Sequence, residues 1–190
     1  MEVKIRKVEI EDASRLAEIL RSFGWFAAFE NEDAETSVER VRRHLSLCLA
    51  DDSHSMYVAE VDGRVLGYTS VHWLPYLLLA GPEGYVSELF VQQEGRSQGL
   101  GTRLLEAIKQ EARQRGCVRL MLLNNRGRES YQRQFYAKNG WQERPEMANF
   151  IYRLEGRSPL DVPGIDADIP AEDIVSIVRE GRERSYNSGQ

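Results

Sequence analysis

A short stretch of the chain, residues 88–102, combines a carboxylate, an arginine and two closely spaced glycines at the end of an apolar strand. Glu88 lies within the strand, Arg96 lies in the loop that follows, and Gly99 and Gly101 mark the start of a predicted helix. Glycine lets a backbone approach a ligand closely, and the first amides of a helix lack partners while the helix dipole adds positive charge. The stretch therefore predicts an anion site that suits a phosphate or pyrophosphate.

The spacing of these glycines argues against two familiar phosphate loops. A P-loop needs a lysine after its last glycine, but Gly101 is followed by Thr102 and Arg103. The dinucleotide-binding fingerprint needs a third glycine at the position that Leu104 occupies. Two glycines alone are typical of an ordinary turn, so the surrounding sequence has to decide between a turn and a ligand site.

A second block, centred on Tyr136, follows about 35 residues after Gly101, beyond a predicted helix and an apolar strand. Together the two blocks resemble the acyl-CoA motifs of the GNAT N-acetyltransferase superfamily. The first motif is [Arg/Gln]-x-x-Gly-x-[Gly/Ala] and the second is a tyrosine, three residues, a glycine and an aromatic residue, matched here by Arg96, Gly99 and Gly101 and by Tyr136, Gly140 and Trp141. The resemblance covers about residues 3–155. One position departs from it, because Glu129 stands where many members have an asparagine.

The resemblance implies that acetyl-CoA is the cosubstrate and that it lies along the end of this strand. Its pantetheine arm would hydrogen-bond the exposed backbone of Phe90 and Val91, and the Val91 amide would polarise the thioester carbonyl. Its pyrophosphate would rest on the amides of the loop, at Arg96, Ser97, Gln98, Gly99, Leu100, Gly101 and Thr102. Arg96 or Arg103 could also pair with a phosphate. No metal ion is expected.

The implied reaction moves an acetyl group from acetyl-CoA to a primary amine by direct attack, without an acyl-enzyme. An alkylammonium has a pKa near ~10 and must first lose a proton, so a general base is required. Glu88, three residues before Val91, is the predicted base, and Tyr136 is the predicted general acid for the departing thiolate. The residue types alone leave alternatives open: Glu88 as a solvated or ion-paired strand residue, and Tyr136 as a core aromatic.

The acceptor amine is less determined. In GNAT folds the connection between the first two helices borders the acceptor cleft, and here it holds aromatic and acidic residues. Trp25 and Phe29 in this connection, with Trp73 and Tyr85 from the sheet, are the predicted substrate-binding residues, since aromatic rings and carboxylates suit a cation. A partly buried aromatic cluster explains the same residues equally well, and a lone strand histidine such as His72 is more often structural. A small molecule, a peptide N-terminus and a protein lysine all remain open as acceptors.

The elements that must position these residues follow from the periodicity of apolar side chains. Alternation and apolar runs predict strands over residues 3–8, 56–61, 65–73, 85–91, 118–123, 141–143 and 149–154. Helical spacing predicts helices over residues 13–22, 36–49, 99–115 and 128–138. Asp62 and Gly63 predict a tight antiparallel hairpin between the second and third strands. The order indicates an α/β (α+β) fold with a GNAT-like mixed sheet of about six or seven strands flanked by about four helices, plus a C-terminal extension.

The length of 190 residues suits one domain with an appendage, divided into residues 1–156 and 157–190. The C-terminal part is acidic and contains prolines, and it predicts an extended linker and one short helix that begins at Pro170. Such a tail could bind a partner protein, pack on its own domain or contribute to a homodimer. A non-catalytic CoA-binding or protein-interaction module, with the tail carrying the function, is therefore the alternative to the enzyme.

The net charge of −5 argues against a generic nucleic-acid-binding protein. The charge is unevenly spread, because residues 92–133 contain nine basic and four acidic side chains in the region where CoA phosphates would lie. No apolar run approaches the ~20 residues of a membrane span, and the N-terminus lacks a signal-peptide core, so a cytoplasmic protein is expected. Cys48 and Cys117 follow no disulfide or metal-site pattern.

Overall fold

The computed structural model describes residues 2–24, 29 and 32–152. Its strands are β1 (Val3–Lys7), β2 (His54–Val61), β3 (Arg64–Leu74), β4 (Glu83–Val91) and β5 (Arg119–Leu122). Its helices are α1 (Ala13–Arg21), α2 (Ala34–Cys48), α3 (Leu100–Gln114), α4 (Glu129–Gln132) and α5 (Phe135–Lys138), with short 3-10 turns at Ile10–Asp12 and Gln93–Gly95. None of the helices in the described residues has both the length and the apolar character that crossing a lipid bilayer requires.

The strands form one mixed sheet in the order β1–β2–β3–β4–β5. Neighbouring strands are antiparallel except β4 and β5, which are parallel and connected through α3. Asp62 and Gly63, with φ of 48° and 82°, turn β2 into β3 as the tight hairpin that the sequence predicts. The predicted α/β fold class is confirmed.

Helices cover both faces of the sheet. The face under α1 and α2, called here the α1–α2 face, is built from apolar side chains that include Leu16, Leu45, Val58 and Tyr68. The opposite face, called here the α3 face, is built from apolar side chains that include Leu104, Ile108, Val71 and Trp73. Each such side chain contributes about 1.5–3 kcal/mol when it is fully buried. Successive side chains of one strand point to opposite faces of the sheet. The position of a residue in its strand therefore decides whether its side chain lies on the α1–α2 face or on the α3 face.

A β-bulge in β4 changes which side chains share a face. Ser70 of β3 is opposite Glu88, whereas Val71 is opposite Val86, so Ser87 is an extra residue without a cross-strand partner. Bulges bend a strand and redirect its side chains. Val86 packs on the α3 face, and the extra residue brings the side chains of both Ser87 and Glu88 onto the α1–α2 face.

The described sheet ends at β5, so the prediction of six or seven strands is wrong in number. Residues 141–143 and 149–152 form no strand, and the last two residues of the final predicted strand lie outside the described part. Phe150, Ile151 and Tyr152 are 90%, 64% and 87% exposed, so their apolar character is not accompanied by packing against other described residues. A short alternating segment needs a neighbouring strand and a buried face to be stable as a strand.

Two further predictions need correction. The helix expected over residues 128–138 is interrupted at Gln134, whose left-handed φ of 55° separates α4 from α5. The strand expected over residues 118–123 is shorter than predicted, since β5 spans Arg119–Leu122, and Val118 and Leu123 at its ends are 46% and 59% exposed. The predicted tail helix and the predicted domain boundary lie outside the described residues.

Candidate active site

One edge of β4 is open over residues 87–91. β5 pairs with β4 only from Glu83, opposite Arg119, to Val86, opposite Leu122, where β5 ends. β4 continues beyond this point and stays paired with β3 on its other side. The two parallel strands thus diverge, and the backbone groups on this edge of β4 have no strand partner among the described residues.

Hydrogen-bond alternation identifies the backbone groups that face the open edge. The Gln92 amide donates to the Leu66 carbonyl, which continues the β3 side of the ladder, at 2.8 Å. Because successive amides of a strand point to opposite sides, Phe90 also faces β3, whereas Leu89 and Val91 face the open edge. The sequence predicts pantetheine contacts at Phe90 and Val91, but the alternation favours Leu89 and Val91. The Phe90 ring packs on the α1–α2 face.

The loop after β4 presents a run of backbone amides without partners in the described part of the chain. No amide of residues 97–102 donates a hydrogen bond to another described residue. The first amide that does so belongs to Arg103, which donates to the Gly99 carbonyl at 3.0 Å. Ser97 and Gly99 have φ of 62° and 74°, and these left-handed residues turn the chain into α3. The free amides therefore lie at the positive end of the α3 dipole, an arrangement that suits phosphate.

The two glycines of the loop are required for different physical reasons. Gly99 adopts a left-handed conformation, and the space where a side chain would begin is open. A Cβ on Gly101 would lie 3.0 Å from Cζ of Phe135, so the phenyl ring of α5 packs directly against the first turn of α3. Gly99 thus shapes the loop, while Gly101 lets two distant parts of the sequence meet.

The polar side chains of the loop that form hydrogen bonds do so with other groups of the protein. Arg96 donates from Nη1 to Oε2 of Glu129 at 3.2 Å. Gln98 donates to a backbone carbonyl of the preceding turn at 2.6 Å, and Leu100 is buried in the core. The exposed side chains are those of Ser97 and Thr102. The backbone amides are therefore the main groups that this loop offers to an anion.

Glu88 lies on the α1–α2 face, where the bulge presents it. Its side chain keeps solvent-accessible surface, yet the surrounding protein raises its pKa by desolvation, and a hydrogen bond from the Tyr68 hydroxyl lowers it in part. Tyr68 is fully buried, and Oγ1 of Thr69 donates to the Glu88 carbonyl at 2.8 Å. Both the carboxylate and the backbone of Glu88 are thereby anchored to β3. An anchored carboxylate of raised pKa suits proton abstraction.

Tyr136 is half-buried on α5. Its ring contacts those of Phe135 and Trp141, with centroid distances of 5.1 and 6.1 Å. Burial raises the pKa of Tyr136 while the nearby Arg133 charge lowers it in part, so the phenol is protonated near neutral pH. No hydrogen bond joins the side chains of Tyr136 and Glu88, both of which are described; α5 meets the loop through Phe135 instead.

A family match covers the open edge, the loop and α5 together. The sequence profile of the acetyltransferase (GNAT) family matches residues 17–141. The chain belongs to the GNAT acetyltransferase family. Members of this family use acetyl-CoA as their cosubstrate. The profile therefore places the predicted cosubstrate motifs and both predicted acid–base residues inside the matched region of this GNAT chain.

Individual relatives agree with this family. An acetyltransferase of Agrobacterium fabrum is 31% identical over 104 residues, which cover 54% of this chain and 65% of that protein, just under two thirds of its length. An uncharacterized N-acetyltransferase of Bacillus subtilis is 27% identical over 145 residues, covering 74% of this chain and 91% of that protein. A solved aminoglycoside acetyltransferase from an uncultured soil metagenomic sample shares the fold, with a TM-score of 0.62, 22% identity, and coverage of 80% of this chain and 97% of that chain.

The predicted acceptor residues of this GNAT chain lie in different environments. Trp25 lies outside the described residues. Phe29 packs against the core of the α1–α2 face, with the Arg40 guanidinium 4.7 Å from the centre of its ring. Tyr85 is half-buried on β4, and its ring centroid is 6.2 Å from that of His72. Tyr85 therefore lies on the same side of the sheet as the predicted base.

Trp73 belongs to the core instead. Its side chain packs on the α3 face, opposite to Glu88, and the residue is 7% exposed. Its Nε1 donates to Oγ of Ser55 at 3.0 Å, and the Arg115 guanidinium lies 4.9 Å from its ring. These contacts give Trp73 a structural role, so we do not carry it into the acceptor site.

A polar cluster beside Glu88 is a feature that the sequence alone does not predict. His54 of β2 is opposite His72 of β3, and their ring centroids are 4.3 Å apart. Nε2 of His72 lies 2.9 Å from Oγ of Ser87. Among the described residues, no group of three or more His, Cys, Asp and Glu side chains is arranged to hold a metal ion. The GNAT chain thus has a hydrogen-bonded polar patch on the same face of the sheet as the predicted base.

Proposed function

We propose that this protein is an acetyl-CoA-dependent N-acetyltransferase that acetylates a primary amine by direct attack. The observation that carries the proposal is the run of free amides at residues 97–102, directly after an open-edged strand that holds Glu88. Family membership supports acetyl transfer. The placement of the cosubstrate, the acid–base residues and the choice of amine as acceptor are inferences from the geometry.

The residues present fit acetyl-CoA. The outward backbone groups of Leu89 and Val91 would hydrogen-bond the pantetheine amides, as an added strand would. The Val91 amide would donate to the thioester oxygen, where negative charge develops during attack. The amides of residues 97–102, at the start of α3, would hold the pyrophosphate. A continuous path from the diverging strands to the helix terminus therefore suits a long ligand with one phosphorylated end.

Glu88 would act as the general base. The pKa of its carboxyl is raised by desolvation, which makes it a stronger base than an exposed glutamate, and Tyr68 and Thr69 hold it in place. An ammonium that approaches across the α1–α2 face would be attracted to this carboxylate and would lose a proton to it. Its nitrogen could then attack the carbonyl carbon.

Tyr136 would act as the general acid. Burial raises the pKa of its hydroxyl, so the phenol carries a proton to give to the departing thiolate. The cysteines argue against an acyl-enzyme, because burial raises the pKa of Cys48 and Cys117 and keeps them as thiols. Direct attack by the amine is therefore the mechanism that the side chains support.

Calorimetry with acetyl-CoA and a panel of amines tests the proposal. We expect micromolar binding of acetyl-CoA and release of free thiol with at least one amine. Replacement of Glu88 by glutamine should lower kcat at neutral pH by at least about 10²-fold and leave the Kd of acetyl-CoA nearly unchanged. Glu106→Gln is the matched control, because it replaces an exposed carboxylate on α3. It should change neither kcat nor the Kd of acetyl-CoA. Absence of acetyl-CoA binding would overturn the proposal, and binding without turnover on any amine would support a non-catalytic CoA-binding module.

A further inference from the structure

Each acetylation of an ammonium must release one proton. The nitrogen of RNH3+ loses two protons when it becomes an amide; one ends on the CoA thiol and the other leaves as H+. If Glu88 takes that second proton, its carboxyl must pass it on before the next turnover, and a bound acceptor would cover its exposed side. The inference that follows rests on the proposed function, because it concerns where this proton goes.

The bulge in β4 places Glu88 next to a chain of hydrogen-bonding side chains. Ser87 is the bulged residue and lies on the same face as Glu88. Its Oγ is 2.9 Å from Nε2 of His72, whose ring meets that of His54 edge to face at a centroid distance of 4.3 Å. Nδ1 of His54 is 2.6 Å from Oγ of Ser53. Polar atoms able to donate and accept protons therefore extend across two strands from Ser87, the residue next to the predicted base.

The far end of this chain reaches solvent. The hydroxyl of Ser53 also donates to Asp51, and the Ser53 amide donates to Oδ1 of Asp51 at 2.8 Å. Both residues are exposed, whereas His54 and His72 are half-buried. The chain thus runs from the acceptor face to an exposed carboxylate at the start of β2.

The charge state of the imidazoles suits transfer. Burial, and then the proximity of His54, lower the pKa of His72, so its ring is neutral near pH 7 and free to accept a proton. Of the described titratable groups, Tyr85 faces His72 from β4 and Asp51 lies near His54 in the loop before β2, while Glu88 lies on the same face of the sheet beside Cys48 of α2. Two adjacent imidazoles are not easily protonated together, because their positive charges repel. A proton that reaches His72 is therefore readily lost to a neighbouring acceptor.

We propose that His72 and His54 form a proton relay that carries the proton from the Glu88 carboxyl, through the Ser87 hydroxyl, to solvent at Ser53 and Asp51. The O–H bond of the protonated carboxyl breaks as Ser87 Oγ accepts its proton, directly or through one water, and gives its own to Nε2 of His72. His72 passes a proton to His54 directly or through one water, and His54 releases it toward Ser53. The relay ends with a carboxylate and two neutral imidazoles, so no electrons are transferred and one proton has left.

The first test compares His72→Gln with His44→Gln. The glutamine amide keeps a hydrogen-bonding nitrogen near the Nε2 position but cannot carry a proton, and His44 is an exposed histidine on α2. We expect kcat of the His72 variant to fall at least about fivefold at pH 7, and added imidazole to restore it by acting as a diffusible base. The His44 variant and the wild-type protein should not respond to imidazole. Ser87→Ala should show the same loss and the same rescue. An unchanged kcat, or a loss that imidazole does not restore, overturns the relay.

The second test does not depend on turnover. Histidine side-chain NMR of the full chain follows the titration of His72 in the folded protein. Glu88→Gln and Ser87→Ala should each shift the His72 titration and leave that of His44 unchanged. If neither substitution shifts the His72 titration, the relay is overturned even if the enzyme is active. A wild-type protein that acetylates no amine would overturn the proposed function and the relay together. A failure of the relay alone would leave acetylation by the wild-type protein intact, so the two failures can be told apart.

Discussion

Arg96, on the loop that follows β4, donates to Oε2 of Glu129 on α4 at 3.2 Å. Glu129 occupies the position where many GNAT members have an asparagine, and its carboxylate would compete with a cosubstrate phosphate for the arginine. The Glu129 side chain is 70% exposed, so the ion pair is screened and weak. We expect Glu129→Gln to tighten acetyl-CoA binding by about two- to fivefold, because it frees Arg96 and removes a like charge near the phosphates.

Titration calorimetry at low and at high salt measures this effect. The gain should shrink as salt rises, since screening weakens an exposed charge. Glu143→Gln is the matched control, because Glu143 forms a comparable exposed ion pair, with Arg126 at 2.6 Å, that does not involve Arg96. Weaker binding in Glu129→Gln would show instead that Glu129 holds Arg96 in its productive position.

Gly99 and Gly116, at opposite ends of α3, offer a matched pair for the anion site. Both have a positive φ and open space for a side chain, so Asp costs each backbone a similar amount of strain. At Gly99 the new negative charge interacts favourably with the helix dipole, so the protein should stay folded. The same charge repels phosphate, so the affinity for acetyl-CoA should fall at least about tenfold. Gly116→Asp should leave the affinity unchanged and lower the melting temperature. Equal losses of affinity in both variants would contradict an anion site at the start of α3.

The buried hydroxyl of Tyr68 should influence the pH dependence of the reaction. Its hydrogen bond lowers the pKa of Glu88, so Tyr68→Phe should raise that pKa and move the acidic limb of the kcat/KM profile to higher pH. The variant should be slower than wild type on the acidic side and nearly equal at high pH. Tyr57→Phe is the control, because Tyr57 donates to Glu111 on the α3 side of the sheet. An unshifted profile in Tyr68→Phe would separate Tyr68 from the base.

Much of the cosubstrate side of the site can be predicted from the sequence because its chemistry is local. A strand, a loop with Gly99 and Gly101, and a helix are contiguous, and free amides at a helix start follow from any such order. The role of Tyr136 stays a prediction, which rests on the spacing of its own block. The structure adds the contact between Phe135 and Gly101, which no local pattern specifies.

The acceptor side depends on irregularities that hydrophobic patterns do not reveal. With a two-residue turn at Asp62–Gly63, regular pairing would put His54 opposite Val71. A bulge between Ala59 and Glu60 shifts the register by one residue and puts His54 opposite His72 instead. The second bulge, at Ser87, moves Glu88 to the same face. The domain boundary and the tail helix stay predictions, since those residues lie outside the described part.

The carboxylate of Glu111, buried against the α3 face, should make the fold sensitive to acid. Burial opposes its charge, but donors from four residues lower its pKa from 4.5 to about 2. They are Lys7 Nζ at 2.6 Å, Ser55 Oγ at 2.7 Å, Tyr57 Oη at 2.9 Å and Arg115 Nε at 3.0 Å. A carboxyl whose pKa is lower in the folded state stabilises the fold above its unfolded pKa, and loses that contribution as pH falls toward the folded value. Glu111→Gln should therefore lower the free energy of unfolding by about 1–3 kcal/mol at pH 7.

Denaturant unfolding at a series of pH values measures this contribution. The difference between wild type and Glu111→Gln should be constant above about pH 4.5, the ordinary value for glutamate, and should shrink steadily toward pH 2. Glu106→Gln removes an exposed carboxylate from the same helix and leaves the donors to Glu111 in place. Its effect on the free energy of unfolding should therefore be small. A Glu111→Gln difference that stays constant down to pH 2 would contradict the network, because it would mean that the carboxyl titrates alike in the folded and unfolded chains.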